Sequence, residues 1–205
     1  MKAKPQVSPS EADCLQRALN GDEQAFTELV ELYQTPVHNL CYRMLGNPQE
    51  AEDAAQETFW RAYRNLQRYD PNRSFPTWLL SIAAHYCIDQ QRRRRLPVIE
   101  LDEIFEDMED ITADPAPTPE KIIAENENIQ AVQKQLAGLN PGDKAVLVLR
   151  YFQEMSEDEI CKALSISKSA VKSRLHRARL HLANQMMNNK FNMISEGRYH
   201  ESLSI

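Results

Sequence analysis

Residues 156–179 read SEDEICKALSISKSAVKSRLHRAR, the most informative stretch of this 205-residue chain. Ser156 and Glu159 have the S-x-x-E spacing of a capping box, which predicts a short helix, a turn over 165–167 and a longer basic helix. Apolar residues recur at helical spacing in the longer helix and are expected to be buried: Val171, Leu175, Ala178 and Leu182. This layout is typical of a helix-turn-helix, whose second helix lies in the DNA major groove.

The charge of the second helix also indicates DNA. From residue 168 to 190 there are six basic residues and no acidic residue, whereas solvated helices usually mix signs. Arginine and lysine bind guanine edges, and small hydroxyls bind phosphates or bases. An ordinary helical hairpin with a solvated basic face is the alternative. The candidate DNA contacts are Ser169, Lys172, Ser173, His176, Arg177 and Arg179.

Working outward, the rest of the chain reads as helices. Asn47-Pro48 and Asn140-Pro141 each place a cap before a first-turn proline, so both start helices. A helix from Asp22 is expected to be kinked or interrupted at Pro36. With no convincing strand, we predict an all-α fold of two small helical domains joined by a flexible acidic linker. The predicted ranges are 10–96 and 120–187 for the domains, 97–119 for the linker, and 188–205 for a tail without clear pattern.

Charge and composition narrow the function. The chain carries a net charge of −6, but residues 98–128 hold eleven acids and one lysine, which gives −10 for that stretch and leaves the remainder at +4. No apolar run is long enough for a membrane span or a signal-peptide core, so we expect a soluble, cytoplasmic protein without membrane insertion. The four cysteines show no C-x-x-C spacing and are interpreted as buried hydrophobes, a reactive thiol being the alternative.

Catalytic and metal-binding motifs are lacking in the sequence. We find no glycine-rich phosphate loop, no H-E-x-x-H and no G-x-S-x-G, and the five histidines lack metal-ligand spacing. The linker acids between Asp102 and Asp110 belong to a flexible segment that offers no rigid Mg²⁺ scaffold. We therefore expect no cofactor, no metal and no enzymatic activity.

Two further surfaces stand out in the N-terminal block. Aromatic and basic residues are interleaved from Arg68 to Trp78, and four consecutive arginines, 92–95, follow farther along the chain. This composition suits single-stranded DNA. Core packing is the favoured interpretation of Phe75 and Trp78, and a solvated helix end is the alternative for the arginines. The helix from Pro48 presents a polar face that contains one indole. This face is typical of a protein-binding surface, and a solvated face with a half-buried tryptophan is the alternative. Its residues are Asp53, Gln56, Glu57, Trp60 and Arg64.

Three strings in order resemble the extracytoplasmic-function (ECF, group IV) sigma factors of bacterial RNA polymerase. They are residues 51–59 (AEDAAQETF), residues 75–83 (FPTWLLSIA) and residues 156–179. The resemblance covers roughly residues 10–95 and 120–185. The chain departs from the family pattern at His85, where asparagine is common, and at Cys161 and Ser165, where alanine and glycine are common.

The resemblance implies a partner for each surface. Core RNA polymerase would be bound through its β′ clamp helices and β flap, with Asp53, Gln56, Glu57 and Trp60 as docking residues. The helix-turn-helix would read the promoter −35 element, and an anti-sigma factor is expected as a further partner. The −10 element would be opened and read by a loop at 69–74 and the helix after it, through Tyr69, Asn72, Arg73, Ser74, Trp78, His85, Asp89, Arg92 and Arg93.

Two other functions remain open from the residues alone. A stand-alone helix-turn-helix repressor or activator would bind a palindrome as a dimer, yet the chain shows no dimerisation heptad and such a protein would leave the polar face around Asp53 unused. A small nuclease would need an ordered carboxylate pair, which the sequence does not offer.

Overall fold

The computed structural model describes residues 9–95 and 130–201. Every regular element in these two ranges is a helix, which confirms the predicted all-α class. The predicted linker, 97–119, lies outside the described residues. The first module contains α1 (Pro9–Leu19), α2 (Glu23–Leu45), α3 (Pro48–Asn65), a 3-10 turn (Leu66–Arg68) and α4 (Phe75–Arg95). The second module contains α5 over the described residues 130–137, α6 (Pro141–Tyr151), α7 (Glu157–Leu164) and α8 (Lys168–Glu201).

Helix boundaries follow local sequence signals. The Asn47 side chain accepts a hydrogen bond from the Glu50 N–H at 3.1 Å, and Pro48 occupies the first turn of α3, as predicted. Gly46 takes a left-handed φ of 81°, which favours glycine and ends α2. Asn140 caps α6 by accepting from the Gly142 N–H at 3.0 Å, so both predicted Asn-Pro starts are confirmed.

Of the two effects predicted for Pro36, a kink or an interruption of the helix, the interruption is wrong. Helix α2 continues from Glu23 to Leu45 with Pro36 inside it. Proline has no N–H to bond the carbonyl of Leu32, so this turn lacks one hydrogen bond. Leu29 is buried before the proline and Val37 after it, and we attribute the continuity of α2 to this burial on both sides.

The helix-turn-helix forms as its sequence predicts. The Ser156 hydroxyl accepts from the Glu159 N–H at 3.2 Å, and the Glu159 carboxylate accepts from the Ser156 N–H at 2.8 Å, which is a complete capping box. Ser165 ends α7 in the left-handed region, with φ 53° and ψ 44°. Val171, Leu175 and Ala178 of α8 are buried as predicted. Leu182 is only partly buried, at the edge of the core.

The two modules are in contact with each other. Helix α4 packs against α6 and α7, and α2 packs against α6. Three polar side chains cross the boundary: Gln133 donates to the Tyr42 carbonyl at 2.9 Å, Gln153 to the Pro36 carbonyl at 3.1 Å, and Arg95 to the Leu139 carbonyl at 2.8 Å. We call this boundary the intermodule interface.

Several polar groups at or beside the intermodule interface are buried without full compensation. Lys144 of α6 is only 4% exposed. Arg43 Nε, Gln91 Oε1 and Gln133 Oε1 are buried and have no hydrogen-bond partner among the described residues. These polar groups lie beside apolar ones, because buried residues of both modules belong to one hydrophobic cluster.

Cysteine burial matches the sequence interpretation at three positions. Cys14, Cys41 and Cys87 are buried, and Cys161 is partly exposed. A hydrogen bond with Cys41, together with burial, raises the pKa of Cys87, so this thiol stays neutral. In residues 9–95 and 130–201, no helix combines the length and apolar character that a bilayer span requires.

Candidate nucleic-acid interface

The outer face of α8 is a strip of exposed polar side chains. Ser169, Lys172, Ser173 and His176 are all exposed. At about 100° per residue they share one arc of roughly 100°, which lies opposite the buried residues of α8. The strip belongs to the first three turns of the helix, which are the turns that read bases in helix-turn-helix proteins.

Two arginines lie just outside this strip, and α6 holds both of them. Arg177 donates from Nε and Nη2 to the Asp143 carboxylate at 2.9 and 2.8 Å. The Asp143 side chain is 10% exposed and that of Arg177 is 58% exposed. The hydrogen bond with Asp143 and its charge raise the pKa of Arg177. On the other edge, Arg179 Nε donates to the Tyr151 hydroxyl at 2.9 Å, with its guanidinium 5.7 Å from the ring centre.

Helix α4 carries a second exposed polar face. Trp78 is half-buried, and His85, Asp89 and Arg92 follow it at helical spacing and are exposed. His85 Nδ1 lies 2.8 Å from the Ser81 carbonyl. Because a carbonyl only accepts, Nδ1 donates this hydrogen bond.

The four arginines that end α4 divide into two pairs. Arg92 and Arg93 are exposed, and Arg92 lies 4.0 Å from the Asp89 carboxylate. Arg94 pairs with Glu50 at the start of α3, and Arg95 bonds the Leu139 carbonyl of the second module. All four arginines are exposed, and Arg94 and Arg95 also bond residues outside α4. Arg92 and Arg93 stay the predicted DNA contacts.

The loop before α4 is held by an aromatic cluster. Tyr69 is buried, its hydroxyl donates to the Arg73 carbonyl, and its ring centre lies 5.2 Å from that of Trp78. The ring of Tyr69 therefore packs on the inner side of the loop. Asn72, Arg73 and Ser74, which are candidate DNA contacts, are exposed. Phe75 is buried as its apolar spacing predicts.

The Asp70 turn fixes this loop locally. The Asp70 carboxylate accepts from the backbone and the side chain of Asn72, both at 3.0 Å. The backbone hydrogen bond from Asn72, then that from its side chain, lower the pKa of Asp70. The turn thereby presents a short polar edge beside Trp78.

Helix α3 bears the third surface. Asp53, Gln56 and Trp60 are exposed and Glu57 is half-buried, all on one side of the helix. Trp60 is 55% exposed, so about half of the indole lies at the surface among these polar side chains, which both the protein-binding and the solvated-face interpretation allow. The indole lines a surface depression together with Glu57, Arg61, Arg64, Asn65 and Arg68.

Sequence reasoning missed some residues of these surfaces. Arg61 and Arg68 share the depression with Trp60, and their spacing from Glu57 (i+4 and i+11) could have indicated this. Asp143 and Tyr151 were also missed, because an acid in the first turn of a helix and an aromatic in its last turn carry no signal of a partner 34 or 28 residues away.

The comparisons with known proteins agree with these surfaces. Sigma-70 region 2 matches residues 29–96, and Sigma-70, region 4 matches residues 129–182. The ECF RNA polymerase sigma factor SigW of Bacillus subtilis (strain 168) is 38% identical over 178 residues, which cover 84% of this chain and 94% of SigW. The chain belongs to the ECF sigma factors. It functions as an RNA polymerase sigma factor, whose partners are core RNA polymerase and promoter DNA, and the stand-alone repressor is not favoured.

Solved structures share the fold of this sigma factor. The structure of CnrH in complex with the cytosolic domain of CnrY has a TM-score of 0.66 at 24% identity, covering 88% of this chain and 99% of that one. The sigma factor RpoE in complex with the anti-sigma factor NepR from Bartonella quintana has a TM-score of 0.62 at 19% identity, covering 79% and 96%. The region 2 match contains the α3 and α4 surfaces, and the region 4 match contains the outer strip of α8.

Proposed function

We propose that this sigma factor docks on core RNA polymerase through the α3 face and then reads two promoter elements with its two modules. Asp53, Gln56, Glu57 and Trp60 would contact the β′ clamp helices, and the second module would contact the β flap. The observation that carries the proposal is the exposure of three separate surfaces at once, one built around an indole between charged side chains of both signs, and two that combine cations with imidazole and hydroxyl or amide groups. Such a division suits one protein partner and two DNA elements.

The α4 surface is proposed to open and read the −10 element. Separating strands costs a few kcal/mol per unstacked base, and captured bases must return it through stacking and hydrogen bonds. Asn72, Arg73 and Ser74 line the loop edge, where Trp78 offers a partly exposed ring. The buried Tyr69 would keep that loop in shape. Along α4 the exposed ring of His85 suits a hydrogen bond with a base edge, with Asp89, Arg92 and Arg93 beyond it.

The outer strip of α8 is proposed to read the −35 element. Lys172 and His176 reach farthest from the strip and suit base edges, while Ser169 and Ser173 suit phosphates or bases. Arg177 and Arg179 complete the set of contacts at its edges. The domains at 10–96 and 120–187 would thus act separately, joined by the linker at 97–119.

Reading both elements at once would require the modules to separate. Elements centred at −10 and −35 lie about 25 base pairs apart, which is roughly 85 Å at ~3.4 Å per base pair. A compact chain of this length has a radius of gyration of about 17 Å. The two modules in contact therefore could not span both elements, and binding to polymerase would hold them apart.

Further partners follow from the same proposal. CnrH and RpoE are each seen with a protein bound, the cytosolic domain of CnrY and the anti-sigma factor NepR. We expect an anti-sigma factor to hold this chain too, in the cytoplasm and without membrane insertion of the sigma factor itself. The chain would be a specificity subunit that needs no cofactor and catalyses nothing by itself.

The test is reconstitution with core RNA polymerase, followed by run-off transcription from fragmented genomic DNA. We expect the chain to bind core enzyme and to start transcripts at a defined set of sites. Lys172→Ala should lower initiation at those sites through the −35 element, and Arg92→Ala should lower it through strand opening. Failure to bind core enzyme, or transcripts that start without sequence preference, would contradict the proposal.

A further inference from the structure

The two arginines at the edges of the α8 strip differ from the residues within it. Ser169, Lys172, Ser173 and His176 are exposed, whereas Arg177 bonds Asp143 and Arg179 bonds Tyr151, both residues of α6. Helix α6 thus fixes a cation on each side of the strip. We infer that Arg177 and Arg179 are sequence-neutral phosphate contacts, held in place by Asp143 and Tyr151 as positioning residues. This inference deepens the proposed function and rests on it.

The contacts of Arg177 favour a phosphate over a base. Nε and Nη2 are both taken by the Asp143 carboxylate, so one of the two edges that can fork a guanine is occupied. Asp143 itself is nearly buried, so it draws the guanidinium back towards α6. Base edges lie at the floor of a groove about 8.5 Å deep, which a side chain drawn back in this way does not reach. Three N–H groups remain, two on Nη1 and one on Nη2, and from this retracted position they can meet a phosphate on the groove wall.

The position of both arginines around α8 points the same way. Arg177 and Arg179 lie outside the arc of the strip and on opposite sides of it, at about 100° per residue. In helix-turn-helix proteins the first turns of the second helix reach the bases, while residues beside them contact the backbone. One fixed cation on each side of the strip would set the depth and the register of α8 in the groove. The side chains of the strip would then determine which base sequence is bound.

Arg179 offers the cleaner test of positioning. Tyr151→Phe removes the hydroxyl that accepts from Arg179 Nε and keeps the ring beneath the guanidinium. Because Tyr151 is exposed and the change alters no charge, the fold and the net electrostatics of the module should stay the same. An effect on DNA binding that passes through Arg179 should therefore vanish once Arg179 is replaced.

The experiment measures binding of holoenzyme, formed with the full chain, to a promoter found by run-off transcription and to its single −35 substitutions. Arg179→Ala should weaken binding about 5- to 10-fold, by the same factor on every sequence, and reduce the slope of log K against log salt by about 1. Tyr151→Phe should weaken binding about 2- to 3-fold and have no further effect in the Arg179→Ala background. Arg177→Lys keeps the charge and avoids leaving Asp143 unpaired, so it should leave the order of preferred sequences unchanged.

Lys172→Ala is the control, because it should lose discrimination at one or more positions of the −35 element. A change of more than about 3-fold in base preference with Arg177→Lys or Arg179→Ala would show that the arginine reads a base and would overturn the inference. An equal loss from Tyr151→Phe with and without Arg179 would overturn the positioning role. Wild-type holoenzyme that ignores all −35 substitutions would instead contradict the proposed function.

Discussion

Lys144 gives a sharp prediction about the intermodule interface. Its side chain belongs to α6, is only 4% exposed, and lies near Cys87 and Arg95 of α4. Burial first, and then the charge of Arg95, lower the pKa of Lys144 to about 8. An ammonium placed here opposes contact between the modules. We call the form with the modules in contact the closed form and the form with the modules apart the separated form. Lys144→Met should therefore favour the closed form.

The size and the sign of the effect follow from proton linkage. A fall from 10.5 to about 8 corresponds to roughly 3 kcal/mol, at about 1.4 kcal/mol per pH unit, as an upper value at neutral pH. Below pH 8 Lys144 is charged in the closed and the separated forms alike, and the closed form carries the full free-energy cost of burying the ammonium. Between pH 8 and 10.5 only the separated form binds the proton. The closed form therefore gains stability as pH rises through this window.

The assay compares wild type, Lys144→Met and the exposed control Lys162→Met by urea unfolding and by small-angle X-ray scattering. At pH 7, Lys144→Met should raise the free energy of unfolding by about 1–3 kcal/mol and lower the radius of gyration. At pH 9.5 the gap from wild type should shrink, while Lys162→Met should match wild type at both values. Equal or lower stability of Lys144→Met at pH 7, or a gap that does not depend on pH, would refute the reasoning.

Three smaller predictions concern single positions. Ser165→Gly should raise the stability to urea unfolding by about 0.5–1 kcal/mol, because glycine relieves the left-handed φ of 53°; a loss of stability would contradict this. Ser156→Ala should lower the same free energy by about 1 kcal/mol through loss of the α7 cap, and no change would mean that the cap is dispensable. Trp60→Ala should weaken binding to core RNA polymerase at least tenfold without loss of stability, whereas the equally exposed Leu32→Ala should bind as wild type does.

Local signals explain why much of the fold could be predicted. The Asn47-Pro48 start and the Ser156 capping box depend on residues at most three positions apart, and both form in the structure. Pro36 shows the limit of such rules. The loss of one helical hydrogen bond is local, but the burial of Leu29 and Val37 that offsets it depends on helices elsewhere in the chain.

The intermodule interface could not be predicted from sequence. Gln133, Gln153 and Arg95 read as solvent-exposed residues on helix surfaces, yet each bonds a carbonyl of the other module. Lys144 likewise looks like an ordinary surface lysine beside Asp143. No periodic pattern records which polar face meets another, because the partners are 44 to 117 residues apart.

The surfaces were predicted better than the contacts that hold them. Exposure of Lys172 and His176 follows from the apolar spacing of α8, because polar residues opposite a buried stripe face outward. The anchoring of Arg177 by Asp143 needs the crossing of α6 and α8, which spacing along one helix does not give. Spacing therefore identifies which residues a surface offers, and tertiary contacts decide which of them are free to move.

Both proposed DNA surfaces are exposed while the two modules are in contact. This indicates how contact between the modules would act on promoter binding. His85 and Arg92 on α4, and Lys172 and His176 on α8, are exposed while the modules touch, so closure does not cover these contacts. It restricts their spacing instead, and a chain held closed could bind only one element at a time. Linking two modules that bind together typically raises avidity 10²- to 10⁴-fold over either alone. Closure would therefore act by removing that gain until polymerase binding separates the modules.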